Sequence, residues 1–345
     1  MLSIFSEKHL LHGGLMEPAS DHWIPGAESP ERANNVLAAI RRVGFGDVVP
    51  PDEFDDTHIL AVHDPDYVRF LESAWDEWLA SGEQGSVARP YAFVTDGMRG
   101  AHTENIYGKL GRYAFDIFAP IVAGSWQAIR SAADVAMTGA QHIVHGESSA
   151  FAICRPPGHH ASADLAGGYC YLNNCAIAAQ SMIASGRSKV AILDVDYHHG
   201  NGTQSIFYDR DDVLTISLHA DPAFEYPYYL GYADERGAGD GLGYNRNYPL
   251  ARGTRWASYC DALMDALQRI QNYSPDAVVC ALGLDTYAMD PTTDFAIQSA
   301  DYSEMGKLVG SLDAPVLSVL EGGYDIDSIG MNTVNFLAGL RSAKT

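Results

Sequence analysis

The stretch Val190-Ala-Ile-Leu-Asp-Val-Asp-Tyr-His-His-Gly-Asn-Gly202 joins an apolar run to a cluster of polar side chains. The run Val190 to Val195 is short, rich in branched residues and without polar alternation, which is typical of a strand buried on both faces. Asp194, Asp196 and His198 stand at every second position, so they share one side of an extended chain. The stretch therefore predicts a buried parallel strand that ends in potential metal ligands.

Further apolar runs and helix-like segments alternate along the chain. The predicted strands are Ala150 to Cys154, Val213 to Leu218, Ala277 to Leu284 and Val316 to Leu320, and the predicted helices are Pro30 to Val43, Asn174 to Ser185, Trp256 to Asn272, Tyr302 to Ser311 and Ile329 to Leu340. Strands separated by helices indicate one doubly wound α/β domain over residues 1-345, with a mainly parallel central sheet and helices on both faces.

The segment from about 80 to 123 departs from this alternation, because glycine, polar residues and scattered aromatics replace a clear period. An irregular stretch of this length in a compact domain is usually a functional loop or an interface element. A disordered insert is the alternative, but Tyr107, Tyr113, Phe115 and Phe118 argue against it, since disordered chains are poor in aromatics.

The charge of the chain restricts its partners. Its 345 residues include 22 Lys and Arg against 44 Asp and Glu, for a formal charge of −22. So acidic a protein is a poor ligand for a phosphate backbone, so we expect no nucleic-acid partner. A small cationic molecule is the natural partner.

Composition and segment lengths indicate a packed protein of the cytoplasm. Hydrophobic residues make up 47% of the chain and charged residues 19%. The N-terminus lacks the basic flank and long apolar run of a signal peptide, and no segment offers about 18 uninterrupted apolar residues, so we expect no membrane partner. The five cysteines are odd in number and scattered, which is typical of reduced core thiols.

The residues just after each apolar run matter most, because the crevice of an open α/β sheet lies beyond the carboxyl ends of its strands. Asp285, after a second strand, would complete a three-ligand set with Asp196 and His198 that leaves one position open, as in catalytic zinc sites. The alternative is that Asp194 and Asp196 cap a turn while His198 satisfies a core polar group. The joint occurrence at several strand ends favours a metal.

Two other strand ends carry candidate catalytic groups. His159 and His160 follow Pro-Pro-Gly and suit a base and an electrostatic helper, with Asp194 and Asn201 available to orient the rings. Tyr324 follows two glycines and can donate to a developing oxyanion. The histidine pair could instead be ordinary surface residues and Tyr324 a turn residue. His199, His219 and Cys170 are interpreted as structural.

Together these pieces resemble the arginase-fold zinc deacetylases, which include histone deacetylases, acetoin-utilisation proteins and acetylpolyamine amidohydrolases. The similarity is greatest to the bacterial acetylpolyamine amidohydrolases and spans roughly residues 148 to 340. The matching segments are Arg155-Pro-Pro-Gly-His-His160, Gly167-Gly-Tyr-Cys-Tyr-Leu-Asn-Asn174, Leu193-Asp-Val-Asp-Tyr-His-His-Gly-Asn-Gly202, Ser217-Leu-His219, Gly283-Leu-Asp285 and Glu321-Gly-Gly-Tyr324.

The resemblance implies a role for each matching residue. Zinc would be bound by Asp196, His198 and Asp285. His160 would act as general base and then acid with His159 as companion, Tyr324 would polarise the carbonyl, and Asp194 and Asn201 would orient the two histidines. A structural potassium ion would lie at Asp194, Asp196, His198, Ser217 and Leu218.

The resemblance also implies how substrate binds. Tyr169 and Tyr226, with Gly168, would line a tunnel for the methylene chain of an acylated amine. Glu17 would face the distal amine, whereas Tyr107 stands where relatives have a second acidic residue, which favours shorter acetyl-diamines. The loop at 80 to 123 would pair two subunits into a homodimer and narrow the entrance.

The expected activity is zinc-dependent hydrolysis of N-acetylated polyamines or short diamines, such as acetylputrescine and acetylcadaverine, to acetate and free amine. A protein acetyl-lysine deacetylase is the alternative, although it needs an open rim for a peptide. A third hypothesis is a silent module that binds acylated ligands, but His159, His160 and Tyr324 are intact.

Overall fold

A central sheet of eight parallel strands organises the computed structural model, which describes residues 1–95, 97–98 and 103–344. Its strand order is β4-β1-β5-β10-β9-β6-β7-β8, and β2 and β3 form a separate antiparallel pair. The strands are β1 (Leu2–Ile4), β2 (Met16–Pro18), β3 (Trp23–Pro25), β4 (Val48–Val49), β5 (Ser149–Ala152), β6 (Val190–Asp194), β7 (Val213–Ala220), β8 (Asn245–Leu250), β9 (Ala277–Leu282) and β10 (Val316–Leu320).

Helices cover both faces of this sheet. They are α1 (Pro30–Val43), α2 (Thr57–Leu60), α3 (Pro65–Ala80), α4 (Ile106–Arg112), α5 (Ser125–Val144), α6 (Asn174–Ala184), α7 (Asn201–Phe207), α8 (Trp256–Tyr273), α9 (Asp301–Gly310) and α10 (Ile329–Lys344), with short 3-10 helices at Glu7–Leu11 and Gly239–Gly241. Within the described residues, none of these helices combines the length and the apolar character needed to cross a membrane.

Alternate residues of each central strand enter two separate cores. In β9, Val279 packs in the core that includes α3, α5 and α6, whereas its neighbour Cys280 packs in the core that includes α1, α8, α9 and α10. Successive side chains of a strand point to opposite faces, so continuous apolar runs are what a sheet covered on both sides requires. The predicted doubly wound α/β fold is confirmed.

The predicted strand ends differ from the structure where tertiary contacts decide them. Val316–Leu320 matches β10, but β9 ends at Leu282 rather than Leu284, because the chain then passes against the Asp196 carboxylate. In contrast, β7 continues to Ala220 because it pairs with β8 along its whole second half. The sequence did not reveal β8, a partly exposed edge strand that reads Asn-Arg-Asn-Tyr-Pro-Leu.

The predicted loop at 80 to 123 begins where α3 ends and contains the short helix α4. With only seven residues, α4 is too short for a helical period to be recognised in the sequence. Antiparallel pairing of Ala88 with Ile121 closes the segment, and Ala114 forms a parallel bridge with Ala166 outside it. Residues 96 and 99–102 of the predicted loop, and residue 345 of the predicted domain, lie outside the described part of the chain. Ile106, Tyr113 and Ala119 of the segment are buried in the core that includes α3, α5 and α6, so its middle also packs on the domain.

A buried neutral histidine fixes the start of α6. His63 Nε2 accepts a hydrogen bond from the backbone N–H of Asn173 at 2.9 Å, and the Asn173 side chain caps the helix by accepting from the N–H of Ala176. Burial lowers the pKa of His63 to about 4, although backbone carbonyls favour its protonated form. Protonation would remove the acceptor on which this helix start depends.

We predict that acidification destabilises the fold partly through His63. The unfolded histidine gains its proton near pH 6.5 and the folded one near pH 4, so stability falls as the pH drops through this window and is level below it. The contribution of this site is about 3 kcal/mol. The free energy of unfolding, measured with urea at several pH values between 7 and 5, should fall less steeply with decreasing pH for His63→Gln than for the wild type. The exposed-residue variant His145→Gln should keep the wild-type slope, and equal slopes in all three proteins would contradict the assignment.

Candidate active site

Three potential metal ligands converge beyond the carboxyl ends of β6 and β9. Asp196 and His198 follow β6, and Asp285 follows β9, which is its neighbour in the sheet. One ligand atom from each of the three side chains lies within 4.8 Å of the others. His198 Nδ1 is 3.1 Å from Asp285 Oδ2 and 3.3 Å from Asp196 Oδ1. These residues could therefore hold one metal ion between them.

The electrostatics of this cluster fit a cation. Asp196 and Asp285 are fully buried, and burial together with the neighbouring Asp196 charge raises the pKa of Asp285 to about 7. Backbone N–H groups of Gly322 and Tyr197 donate to the two carboxylates at 2.8 Å and 2.9 Å. Two carboxylates and one imidazole form a ligand set suited to zinc, and a bound cation would remove the cost of burying both charges.

Glycines bring two backbone segments against these carboxylates. A Cβ added at Gly283 would lie 2.1 Å from Asp196 Oδ2, and one at Gly322 would lie 2.2 Å from Asp285 Oδ2. Any larger residue at either position would displace a candidate ligand. The glycines in Gly283-Leu-Asp285 and Glu321-Gly-Gly-Tyr324 are thus needed for close approach to the ligand oxygens.

Beside the cluster, two adjacent histidines hold different charge states. His159 Nδ1 is 2.9 Å from Asp194 Oδ2, and His160 Nδ1 is 2.7 Å from Asn201 Oδ1. Burial alone would lower the pKa of His159, but the Asp196 and Asp194 carboxylates outweigh it and raise the value to about 10. Burial and the neighbouring charge of His159 hold the pKa of His160 well below its usual value. One ring is therefore cationic, and its neighbour is free to accept a proton.

Helix α1 positions the loop that carries Tyr324. The Arg32 guanidinium donates to the carbonyls of Glu321 and Gly323, and it lies 4.7 Å from the centre of the Tyr324 ring. Glu28 bridges Arg32 and Arg155 at 2.9 Å and 2.8 Å, so the loop is tied to a fully buried charge network. The phenol is buried, and it lines the same cavity as His160 and His198.

An aromatic cavity of about 300 Å³ leads to these groups. His160, His198 and Tyr324 lie at its inner end, and its walls include Phe118, Tyr169, Tyr226 and Tyr228. Gly168 borders it with a left-handed backbone (φ 52°), and a Cβ there would lie 2.4 Å from the His160 ring. The cavity is thus a slot with ring faces along its sides and the candidate catalytic groups inside.

Carboxylates anchor the two predicted tunnel tyrosines. The Tyr169 hydroxyl donates to Glu17 at 2.6 Å, and the Tyr226 hydroxyl donates to Asp116 at 2.6 Å. Burial holds the pKa of Asp116 above its usual value, although it also accepts the N–H groups of Gly168 and Phe118. Glu17 thus lies behind the tunnel wall, in contact with Tyr169.

The remaining predicted residues lie in two places. Ser217 and Leu218 are buried in β7. Ser217 pairs with Asp194 of the neighbouring strand β6, which is another of the residues predicted to bind potassium. Tyr107 lies on α4 and is 40% exposed, with its hydroxyl bonded to Glu83. It is not among the described residues that line the aromatic cavity.

Comparison with known proteins identifies the family. The model of the histone deacetylase domain matches residues 26–340. The chain belongs to the histone deacetylase family. It is 51% identical over 339 residues to acetylpolyamine amidohydrolase 2 of Pseudomonas aeruginosa, with 98% of both chains covered, and 44% identical to acetylpolyamine amidohydrolase of Mycoplana ramosa, with 99% of both covered. A solved acetylpolyamine aminohydrolase from Burkholderia pseudomallei superposes with a TM-score of 0.95 at 40% identity, covering 99% of both chains.

The resemblance seen in the sequence is confirmed, and this member of the histone deacetylase family is an amidohydrolase of the deacetylase type. Sequence reasoning missed the contributions of Arg32, Glu28 and Asp116. Arg32 lies in the first turn of a helix that the sequence predicted, but the spacing of residues along that helix does not indicate that the Arg32 side chain is buried. Asp116 stands among aromatics in Tyr113-Ala-Phe-Asp-Ile-Phe118, a local signal for a carboxylate held between rings.

We predict that Gly322→Ala abolishes metal binding without unfolding the protein. The new methyl group would overlap the Asp285 carboxylate and displace it from the cluster. Metal analysis of the purified variant should give occupancy near that of Asp196→Ala, which removes a ligand outright. Gly85→Ala is the control, because its backbone is not left-handed and a Cβ there would meet its nearest atom at an ordinary contact distance of 3.7 Å. Full metal content in both Gly322→Ala and Asp196→Ala would rule out this ligand cluster.

Proposed function

We propose that the protein is a zinc-dependent deacetylase that hydrolyses N-acetylated polyamines or short diamines to acetate and the free amine. The observation that carries this proposal is the buried Asp196, His198 and Asp285 cluster, which lies beside a neutral His160 at the inner end of an aromatic slot. The names of its relatives as acetylpolyamine amidohydrolases support the substrate class.

The metal would supply one part of the chemistry. Zinc held by Asp196, His198 and Asp285 would polarise the acetyl carbonyl and lower the pKa of water toward about 7. The chain's own residues supply the proton transfers and the remaining stabilisation of charge.

His160 is the proposed general base. Asn201 Oδ1 accepts from Nδ1–H of His160, which fixes the tautomer and leaves Nε2 free to take the proton of the attacking water. The same ring then returns a proton to the leaving amine. His159 remains protonated between Asp194 and Asp196 and thereby stabilises negative charge that develops nearby.

Tyr324 is the proposed oxyanion donor. Its hydroxyl would donate to the carbonyl oxygen as the tetrahedral intermediate forms. The Arg32 contacts hold its loop in place before substrate arrives, so little reorganisation is needed during the reaction.

The slot and its charges favour a cationic, unbranched substrate. Tyr169 and Tyr226 offer ring faces to a methylene chain. The carboxylate of Glu225 lines the slot, and those of Glu17 and Asp116 contact its tyrosines, so an ammonium group beyond the chain would lie in a negative field. The net charge of −22 adds long-range attraction for a cation.

The potassium ion, the homodimer and the cytoplasmic location stay predictions. The pairing of Asp194 with Ser217, next to Leu218, supports a potassium ion at the position that the family resemblance implies. The exposed Tyr107 supports a role for the 80 to 123 segment between subunits rather than within one slot.

Substitution of the oxyanion donor provides a direct test of the mechanism. Tyr324→Phe should lower kcat on the order of 10²- to 10³-fold, because one donor to the oxyanion is lost, while the metal content stays unchanged. Tyr208→Phe is a matched control at the tyrosine that follows α7, outside the aromatic cavity, and should keep wild-type turnover. Undiminished turnover by Tyr324→Phe would remove the phenol from the mechanism.

A panel of substrates tests the specificity. Acetate release from N-acetylputrescine, N-acetylcadaverine and N-acetylspermidine should exceed that from an acetyl-lysine peptide, with the shorter diamines preferred. N-pentylacetamide, in which a methyl group replaces the ammonium of N-acetylputrescine, should show a lower kcat/KM, since it lacks the charge. Faster hydrolysis of the peptide would favour the protein deacetylase, and equal rates for the neutral analogue would contradict recognition of a cation.

A further inference from the structure

A second cavity lies at the amino ends of the strands, on the side of the sheet opposite to the candidate active site. Its volume is about 520 Å³, larger than the aromatic slot. Lys189, which precedes β6, and Arg246 at the start of β8 border it, as does the last turn of α8. The cavity therefore opens at the amino ends of β6, β7 and β8, whereas the catalytic groups follow the carboxyl ends.

Positive charge is concentrated in this cavity. Lys189, Arg236, Arg246 and Arg269 all line it, in a chain with only 22 Lys and Arg residues and twice as many acidic ones. Arg269 pairs with Asp265 at 3.0 Å. The other three form no ion pair within 4.0 Å among the described residues. Asp265 also acts electrostatically on Arg246. Lys189, Arg236 and Arg246 nevertheless have no carboxylate of the described residues within ion-pair distance, which in so acidic a protein indicates a place for an anionic ligand.

Arg246 gives the clearest indication. Its Nε donor is buried and has no hydrogen-bond partner in the described part of the chain. Its guanidinium lies 5.1 Å from the centre of the Tyr248 ring, a contact that leaves the donors of the planar fork unused. A buried donor without a partner is costly, so an external acceptor would stabilise this arrangement.

The geometry points to a polyphosphate-bearing anion. Guanidinium groups bind phosphate oxygens in a bidentate manner, and two arginines with one lysine match several phosphate groups better than a single carboxylate. The cavity falls in the size range of small-molecule sites, and the rings of Tyr244 and Tyr273 form part of its wall. We propose that this basic cavity, defined by Lys189, Arg236, Arg246, Tyr244 and Tyr273, binds a small polyphosphate, either free or as part of a nucleotide.

The two sites are structurally independent. The five residues of β6 separate Lys189 from the polar segment that follows Asp194, a span of roughly 17 Å. Polyphosphate can therefore bind while the active site holds its metal and substrate. Failure of this proposal would leave the deacetylase assignment untouched, since the test reads binding rather than turnover.

Calorimetric titration of the metal-loaded protein at low ionic strength tests the proposal. Tripolyphosphate and ATP are the two ligand arms, and inorganic phosphate and acetate are the comparison anions. We expect tripolyphosphate or ATP to bind saturably with one ligand per protein chain, and the comparison anions to bind much more weakly. Tighter binding of ATP would assign a nucleotide that uses the tyrosine rings, and equal affinities would assign the phosphates alone.

Variants then locate the bound ligand. Lys189→Gln and Arg236→Gln change exposed side chains, so folding should be preserved, and each should weaken binding about tenfold or more. Arg42→Gln, on the exposed face of α1, removes the same charge elsewhere and should leave the affinity unchanged. Absence of saturable binding would overturn the proposal. So would equal weakening by all three variants, or binding that Asp196→Ala abolishes while Lys189→Gln leaves it intact.

Discussion

Two buried carboxylates, Asp196 and Asp285, impose the constraint on which the rest of this site depends. Their ligand atoms lie within 4.8 Å of His198 and of each other, in an interior that disfavours like charges. Backbone N–H groups and an imidazole stabilise this pair, and a bound cation would stabilise it further. Glycine is required at 283 and 322 because only a residue without Cβ lets the backbone come so close to the two carboxylates.

The same electrostatic arrangement gives two neighbouring histidines different charge states. His159 faces Asp194 and Asp196 and is stabilised as a cation, whereas His160 faces the neutral amide of Asn201 and is kept uncharged by burial. Identical side chains at adjacent positions thus acquire different protonation states from their hydrogen-bond partners and neighbouring charges. This difference in charge requires the carboxylate of Asp194 next to His159. Asp194 is the last residue of β6, and its pairing with Ser217 fixes its place in the sheet.

Much of this was predictable from the sequence, because apolar runs followed by polar residues report strand ends directly. The run Val316–Leu320 coincides with β10, and the candidate ligand residues after β6 and β9 lie close together. The rest depends on contacts between distant parts of the chain. No local pattern reveals that Arg32 reaches the Tyr324 loop, that Asp116 holds Tyr226, or that polar β8 joins the sheet as its edge.

The position of β10 has a consequence for biosynthesis. This strand comes late in the chain, yet it lies between β5 and β9 in the middle of the sheet. Chains emerge from the ribosome N-terminus first, so β5 and β9 cannot be joined through the middle of the sheet until β10 has been synthesised. Gly322 and Tyr324 follow this strand directly. The nascent protein therefore has no complete candidate metal pocket until nearly all of it has been translated, and an ion could be bound there only after that point.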